Sequence, residues 1–164
     1  MIHVYIGDGK GKTTASVGLS VRATGQGLKV LFLQFLKDSS SGEVKVLTTL
    51  PEISVVHASV NYGWLLYMTD VQKKEIALEY DKMLDTALAS DAFLIVLDEV
   101  IHAFNAGLIS RDKLEKVLDK ECEIVLTGRD APTWLIDRAD YCSEIKNIKH
   151  PFDVGVHARA GIEF

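Results

Sequence analysis

Short apolar runs alternate along the chain with polar stretches that carry helical periodicity. The runs at residues 2–6, 29–35, 53–58, 93–97, 123–127 and 141–145 predict six β-strands. Several of these runs are continuous rather than alternating, which is typical of strands buried on both faces. The pattern therefore predicts a mostly parallel sheet of about six strands with helices on both faces.

Helices are predicted in the intervals between these strands. The clearest covers residues 69–89, where Ile76, Tyr80 and Met83 recur at helical spacing and Thr69 with Gln72 has the spacing of a capping box. Further helices are predicted at residues 13–24, 42–50, 111–118 and 132–139. This alternation favours right-handed crossovers within one open α/β sheet, so we expect a single domain over residues 1–164.

Composition and charge narrow the classes of partner. The 164-residue chain has a formal net charge of -5 and no run of five lysines and arginines, which argues against a nucleic acid or a membrane as its main partner. No leader-like segment precedes the first predicted strand and the apolar runs are too short to span a bilayer, so we expect a cytoplasmic protein. Cys122 and Cys142 form no CxxC motif and are predicted to be buried, reduced thiols in strands.

A glycine-rich segment, GDGKGKTT at residues 7–14, follows the first predicted strand and opens a helix, which is the setting of a Walker A loop. Glycines let backbone amides turn toward a phosphate, and the helix N-terminus adds partial positive charge. Lys12 is placed to reach the phosphates and Thr13 to offer its hydroxyl to a metal ion. We therefore predict that the loop binds ATP with Mg²⁺ (or Mn²⁺), through Gly7, Asp8, Gly9, Lys10, Gly11, Lys12, Thr13 and Thr14.

The loop is a shortened variant of the usual G-x-x-x-x-G-K-[ST] motif. Only three residues separate Gly7 from Gly11, and Ile6 stands where the first glycine would be. The alternative, a glycine-rich turn with a chance GKTT, agrees poorly with the flanking strand and helix. Lys10 is either a phosphate ligand or a solvated side chain.

Charged residues after two other strands are expected at the same edge of the sheet. Asp98 and Glu99 follow the run at 93–97 and resemble a Walker B element that would hold the metal. An exposed acidic pair at the start of a helix is the alternative. Arg129 either reaches a phosphate or is a surface arginine, and Arg22 pairs either with phosphate or with a local carboxylate.

Two aromatic residues, Tyr62 and Trp64, occupy a turn-like stretch after the third predicted strand. Such side chains either lie against a flat ligand or pack beneath the long helix, and the local pattern favours packing. The histidines show no metal-ligand spacing, so none is predicted to bind a metal.

The order of these motifs over nearly the whole chain resembles the P-loop type of ATP:cob(I)alamin (corrinoid) adenosyltransferase. The carboxyl end carries the most specific part of the likeness, and the shortened phosphate loop belongs to it as well. The segments concerned are GDGKGKTT at 7–14, RA at 22–23 with Gly25 and Gly27, QFLK at 34–37, LDE at 97–99, TGR at 127–129, AD at 139–140, KHPF at 149–152 and GIEF at 161–164. The chain departs from the family where Asp8 replaces a frequent Asn and Tyr62 a frequent Phe.

The resemblance implies a P-loop NTPase-like (RecA-like) fold and transfer of the 5′-deoxyadenosyl group of ATP to the Co(I) of cobalamin or a precursor corrinoid, with release of triphosphate. It implies a nucleotide that lies reversed in the loop, so that C5′ faces the cobalt. Thr13, Asp98 and Glu99 are then implied to hold the metal. Catalytic roles fall to Lys12 and to Tyr62 and Trp64, which would lie against the corrinoid and help remove the lower cobalt ligand. A homodimer and a flavoprotein that supplies the electron are also implied.

Other uses of the same loop remain open at this point. A RecA-like ATPase would use Glu99 to activate water against the γ-phosphate and would release ADP and phosphate. A small kinase and a non-catalytic module that senses nucleotide or carries a corrinoid are further alternatives.

Overall fold

Six parallel strands form one sheet in the computed structural model, which describes residues 1–37, 41–63 and 65–163. The strands are β1 (Ile2–Ile6), β2 (Val30–Gln34), β3 (Ile53–His57), β4 (Leu94–Asp98), β5 (Glu123–Thr127) and β6 (Tyr141–Glu144). Their order across the sheet is β3-β2-β4-β5-β1-β6, and each pairing is parallel. The predicted α/β class with a six-stranded parallel sheet is confirmed.

Helices connect the strands and cover both faces of the sheet. They are α1 (Lys12–Thr24), α2 (Gly42–Leu47), α3 (Asp70–Ala89), α4 (Val100–Asn105), α5 (Arg111–Leu118) and α6 (Thr133–Arg138). The predicted capping box at the start of α3 is confirmed, with Thr69 and Gln72 bonded reciprocally. Helix α4 was not predicted, and α2 ends three residues earlier than expected.

Strand side chains alternate between two apolar layers, which explains the continuous apolar runs. Leu33 and Leu97 point to the layer that contains Ile76 and Tyr80 of α3. The other layer holds every second strand residue against α1 and α2, and its buried members are Ala23, Val30, Phe32, Leu47, Ile53, Leu94, Val96 and Val125. By the same alternation, the side chains of Gln34 and Asp98, the last residues of β2 and β4, lie on the α1 side.

The prediction of two buried cysteines was wrong. Both are free thiols, but Cys122 is only half-buried and Cys142 is exposed. Cys142 belongs to β6, which lies at the edge of the sheet and, in the described part of the chain, pairs with β1 alone; all four residues of β6 are exposed. Within the described ranges, no helix combines the length and the apolar character needed to cross a lipid bilayer.

Candidate nucleotide and metal site

The predicted phosphate loop joins the end of β1 to the start of α1. Gly11 directly precedes the helix, which has no acidic residue in its first turn. Gly7 has φ 109°, and a Cβ on it would lie 2.3 Å from the carbonyl oxygen of Ile145. A Cβ on Gly9 would lie 2.7 Å from the same oxygen, to which the Gly9 amide donates a 2.8 Å hydrogen bond. Two of the loop glycines therefore make room for the backbone that follows β6, a contact the sequence did not reveal.

Lys12 is buried, and its ammonium group folds back over the loop. Nζ donates to the carbonyl oxygens of Gly7 at 2.7 Å and Gly9 at 2.8 Å. Burial lowers the pKa of Lys12 and the positive charge of Arg129 adds to this, while the negative charge of Glu99 raises it. The Lys12 ammonium is therefore held over the loop by backbone carbonyl oxygens, and among the described residues it forms no hydrogen bond with a carboxylate.

Asp98 ends β4 with no solvent exposure and lies at the centre of a polar cluster. Its Oδ1 accepts hydrogen bonds from the hydroxyls of Thr13 at 2.9 Å and Thr127 at 2.8 Å. Its Oδ2 accepts from Nζ of Lys37 at 2.9 Å, and the same ammonium donates to the Thr13 hydroxyl at 3.0 Å. Thr13 and Asp98, two residues predicted to hold the metal, are thus brought together, and Lys37 is a member of the cluster that was not predicted.

Glu99 has a different environment from its neighbour. It adopts the left-handed conformation with φ 61°, and its amide donates to the Thr127 hydroxyl at 2.8 Å. Oε2 lies 2.6 Å from Nδ1 of His102, in the first turns of α4. The acidic pair is therefore divided, with a buried Asp98 and a half-buried Glu99 that precedes a helix and is held by a histidine.

Of the other residues predicted to bind phosphate, some lie at the loop and one does not. Arg129 is exposed, and its carbonyl oxygen accepts from the Gly7 amide at 3.4 Å. Thr14 is exposed in the first turn of α1. Arg22 lies in the last turn of the same helix, ten residues beyond Lys12 and therefore about 15 Å along the helix axis. The structure thus brings Arg129 to the loop but not Arg22.

The carboxyl-terminal part of the chain contacts the two other charged residues of the phosphate loop, Lys10 and Asp8. Lys10 forms a 2.8 Å salt bridge with Glu163, which also binds Arg159 at 3.2 Å. The carboxylate of Asp8 accepts a 3.0 Å hydrogen bond from the Asn147 amide, which lowers the pKa of Asp8. Lys10 is therefore paired rather than freely solvated.

Tyr62 is half-buried and packs against the apolar core next to α3. Its hydroxyl donates to the Glu75 carboxylate, and this hydrogen bond raises the pKa of Tyr62. The exposed side chains of Leu66 and Tyr67 follow in a short 3-10 turn at Leu65–Tyr67. Trp64, the other predicted aromatic, lies outside the described residues.

The donor set suits a cation that also binds phosphate. Among residues 1–37, 41–63 and 65–163, no three side chains of the His, Cys, Asp and Glu types converge to hold a metal. Mg²⁺ is usually held by one or two carboxylates together with substrate phosphates and water, so Asp98 and the Thr13 hydroxyl are protein groups of the kind that could hold it. The Lys37 ammonium between them shows that these oxygens accept a cation.

Comparison with known proteins agrees with this geometry. A family model described as ATP:corrinoid adenosyltransferase BtuR/CobO/CobP matches residues 1–164. The chain belongs to this family. A corrinoid adenosyltransferase of Pseudomonas aeruginosa is 33% identical over 100% of this chain and 83% of its own length. The corrinoid adenosyltransferase of Escherichia coli K12 is 28% identical over 100% of this chain and 85% of its own length.

The predicted resemblance to the P-loop corrinoid adenosyltransferases is thereby confirmed at the level of the family. The family's description names an adenosyltransferase with ATP and a corrinoid as its substrate classes, and the corrinoid adenosyltransferase relatives support a place among the transferases of cobalamin biosynthesis. The corrinoid adenosyltransferase CobA of Salmonella typhimurium, 27% identical over 100% of this chain and 85% of its own length, is similar as well.

Proposed function

We propose that residues 1–164 form one domain that transfers the 5′-deoxyadenosyl group of ATP to the Co(I) of a corrinoid, cobalamin or a precursor, and releases inorganic triphosphate. The observation that carries the proposal is the hydrogen bond between Thr13 and Asp98 beside the phosphate loop of a chain in this family. It sets a hydroxyl and a carboxylate next to the turn that holds Lys12. This is the arrangement needed to bind a polyphosphate with its cation.

The reaction makes a specific demand on the site. Co(I) contributes the electron pair that forms the cobalt-carbon bond, the bond between C5′ and oxygen breaks, and its electrons leave with the triphosphate. No proton is removed from the nucleophile, so no general base is needed. The site must instead stabilise negative charge on the departing triphosphate, which the positive charges of Lys12 and Arg129 and the start of α1 favour.

Roles in the proposal follow the groups that each residue presents. Thr13 and Asp98, with Glu99 nearby, would hold Mg²⁺ or Mn²⁺, and the cation would neutralise part of the triphosphate charge when bound. Loop residues 7–14 with Arg129 would bind the triphosphate. We propose a role for Arg22 in nucleotide binding on the resemblance alone, because its position in the last turn of α1, far from Lys12, does not support that role.

The proposed corrinoid-binding residues rest on the resemblance and on the position of Tyr62 in the fold. Tyr62 follows β3 at the carboxyl edge of the sheet, where the phosphate loop also lies. We propose that Tyr62 and Trp64 contact the corrinoid and help remove the lower cobalt ligand, which makes Co(II) easier to reduce. We further propose that the enzyme is cytoplasmic, acts as a homodimer and receives the electron from a flavoprotein.

An anaerobic assay with ATP, Mg²⁺ and chemically reduced cobalamin tests this function. The cobalt-carbon product is followed by absorbance, and the phosphate product is identified by chromatography. Triphosphate formed one-for-one with adenosylcobalamin is the expected result. ADP and phosphate without alkylation of the corrinoid would reject the transferase and support the RecA-like ATPase.

A further inference from the structure

Lys37 occupies the position between the two side chains that the proposed function assigns to the metal. Its Nζ lies 3.0 Å from Oγ1 of Thr13 and 2.9 Å from Oδ2 of Asp98. We propose that Lys37 is a resident cation, which neutralises Asp98 in the nucleotide-free protein and is displaced when a divalent cation enters with the triphosphate. This inference rests on the proposed metal role of Thr13 and Asp98.

The need for a resident cation follows from the burial of Asp98. A carboxylate without solvent exposure is costly unless it is paired and hydrogen-bonded. The Thr13 and Thr127 hydroxyls satisfy Oδ1 with neutral donors only, and Oδ2 receives the one ion pair formed by Asp98 among the described residues. Lys37 is therefore the group that balances the charge of Asp98.

The ammonium and a divalent cation compete for these oxygens. Lysine offers only donors, so its contact with Thr13 occupies one of the two lone pairs of the hydroxyl oxygen to which a metal would also bind. The like charges would also repel at this distance. The side chain of Lys37 keeps 30% of its surface exposed and has a flexible four-carbon stem, so it can leave Asp98 without disruption of the sheet.

Displacement of Lys37 couples the metal to the nucleotide. A metal ion that binds alone must expel the ammonium into solvent and break its ion pair. When a metal ion arrives together with triphosphate, the triphosphate supplies new anionic oxygens. The freed ammonium of Lys37 can then bind to these oxygens, as Lys12 does in the proposed function. Metal and nucleotide should accordingly each bind more tightly in the presence of the other, as linkage requires.

Binding of Mn²⁺ to the full chain without nucleotide tests the inference directly. Free Mn²⁺ is measured by its paramagnetic resonance signal for wild type, Lys37→Met, Lys37→Arg and a matched control, Lys29→Met. Lys29 also pairs with an aspartate, Asp91 at 3.0 Å, but this pair lies at the opposite edge of the sheet. We expect Lys37→Met to bind Mn²⁺ at least about tenfold more tightly than wild type, and the other two variants to stay within about twofold.

Lys37→Gln serves as a second neutral variant if Lys37→Met proves unstable, since its amide can still donate to Asp98. Unchanged or weaker Mn²⁺ binding in the folded neutral variants would overturn the inference. Absence of Mn²⁺ binding to wild type even with ATP present would overturn it too, because there would be no metal position to occupy. Adenosyl transfer by the wild-type protein is measured separately. If wild type fails to transfer the adenosyl group while Lys37→Met binds Mn²⁺ more tightly than wild type, the proposed function is rejected and the role of Lys37 is retained.

Discussion

The hydroxyl of Thr13 donates a 2.9 Å hydrogen bond to Oδ1 of Asp98, a residue 85 positions further along the chain. Thr13 lies in the first turn of α1, which packs against β4 even though β5 separates β4 from β1 in the sheet. Thr127, the last residue of β5, closes the gap with its own 2.8 Å hydrogen bond to the same oxygen. Two neighbouring strand ends and the start of α1 therefore build one polar cluster, and the buried carboxylate of Asp98 is its common acceptor.

Substitution of that acceptor should separate metal binding from the rest of the site. Asp98→Asn keeps the shape of the side chain but removes the negative charge that a divalent cation needs. We expect the rate of adenosyl transfer to fall about 100-fold and the Mg²⁺ concentration for half-maximal rate to rise. The control is Asp91→Asn, which removes an exposed carboxylate paired with Lys29. An unchanged Mg²⁺ dependence in Asp98→Asn would contradict the assignment.

Lys12 supplies positive charge at the position of the leaving triphosphate. Lys12→Ala should lower kcat by about 100-fold to 1000-fold, whereas Lys29→Ala should leave it unchanged. Burial lowers the pKa of Lys12, and only the charged form can stabilise the triphosphate. In wild type, kcat/KM for ATP should therefore decline as pH rises, from a pH below the usual lysine value of 10.5. A Lys12→Ala variant with normal kcat would show that the ammonium is not needed.

The aromatic residues after β3 should affect the corrinoid and not the nucleotide. For Tyr62→Ala and Trp64→Ala we expect the Kd of ATP to stay within about twofold, while kcat/KM for cobalamin falls about tenfold or more. Tyr62→Phe keeps the ring and loses only the hydrogen bond to Glu75, so it should retain most of the activity. Tyr141→Ala, at the exposed edge strand, is the control. Equal losses for ATP and cobalamin would indicate a general structural role instead.

Gln34 illustrates a stability cost near the site. Its side chain has no solvent exposure, and neither Oε1 nor Nε2 has a hydrogen-bond partner among the residues that the structure describes. Because an unsatisfied buried amide is unfavourable, Gln34→Met should raise the free energy of unfolding by about 1 kcal/mol in urea denaturation. Gln26→Met, at an exposed turn after α1, should change it by less than about 0.5 kcal/mol. A comparable loss of stability in Gln34→Met would mean that the amide is paired.

The strands of the sheet could be predicted because each coincides with a short apolar run between polar segments. The apolar runs, several of them continuous, predicted all six strands to within one residue at either end. Helix α4, Val100–Asn105, was not predicted because it begins directly after the acidic pair, which was interpreted as the end of a strand. The burial of Cys142 was mispredicted because strand order, which places β6 at the edge, is not written in local pattern.

The same limit applies to the candidate site. The phosphate loop and Asp98 could be found because each belongs to a local motif with a known chemical role. Lys37 could not, since its contact with Asp98 spans 61 positions and depends on β2 and β4 being neighbours in the sheet. The contact between Lys10 and Glu163 spans 153 positions and likewise needs the path of the carboxyl-terminal segment.

That last contact predicts a pH dependence of its own. Hydrogen bonds from Arg159, and then from Lys10, lower the pKa of Glu163 from its usual 4.5 to about 2. A carboxyl group with a lowered pKa in the folded state contributes stability above its unfolded value and loses it as pH falls through the folded value. The segment should therefore hold the loop fully above about pH 4.5 and release it progressively as pH falls toward 2.

Side-chain NMR titration of Glu163 measures this directly. In wild type the carboxyl group should titrate near 2, and Arg159→Met should move its pKa toward 4.5 further than Lys10→Met does, because Arg159 is the larger cause. Glu79 provides an internal control, since its pKa of about 2 is set by Lys82 and Ser59 and should not respond to either variant. Titration of Glu163 near 4.5 in wild type would show that the carboxyl-terminal segment does not hold Lys10 in solution, so the ammonium would be available to a bound phosphate without competition.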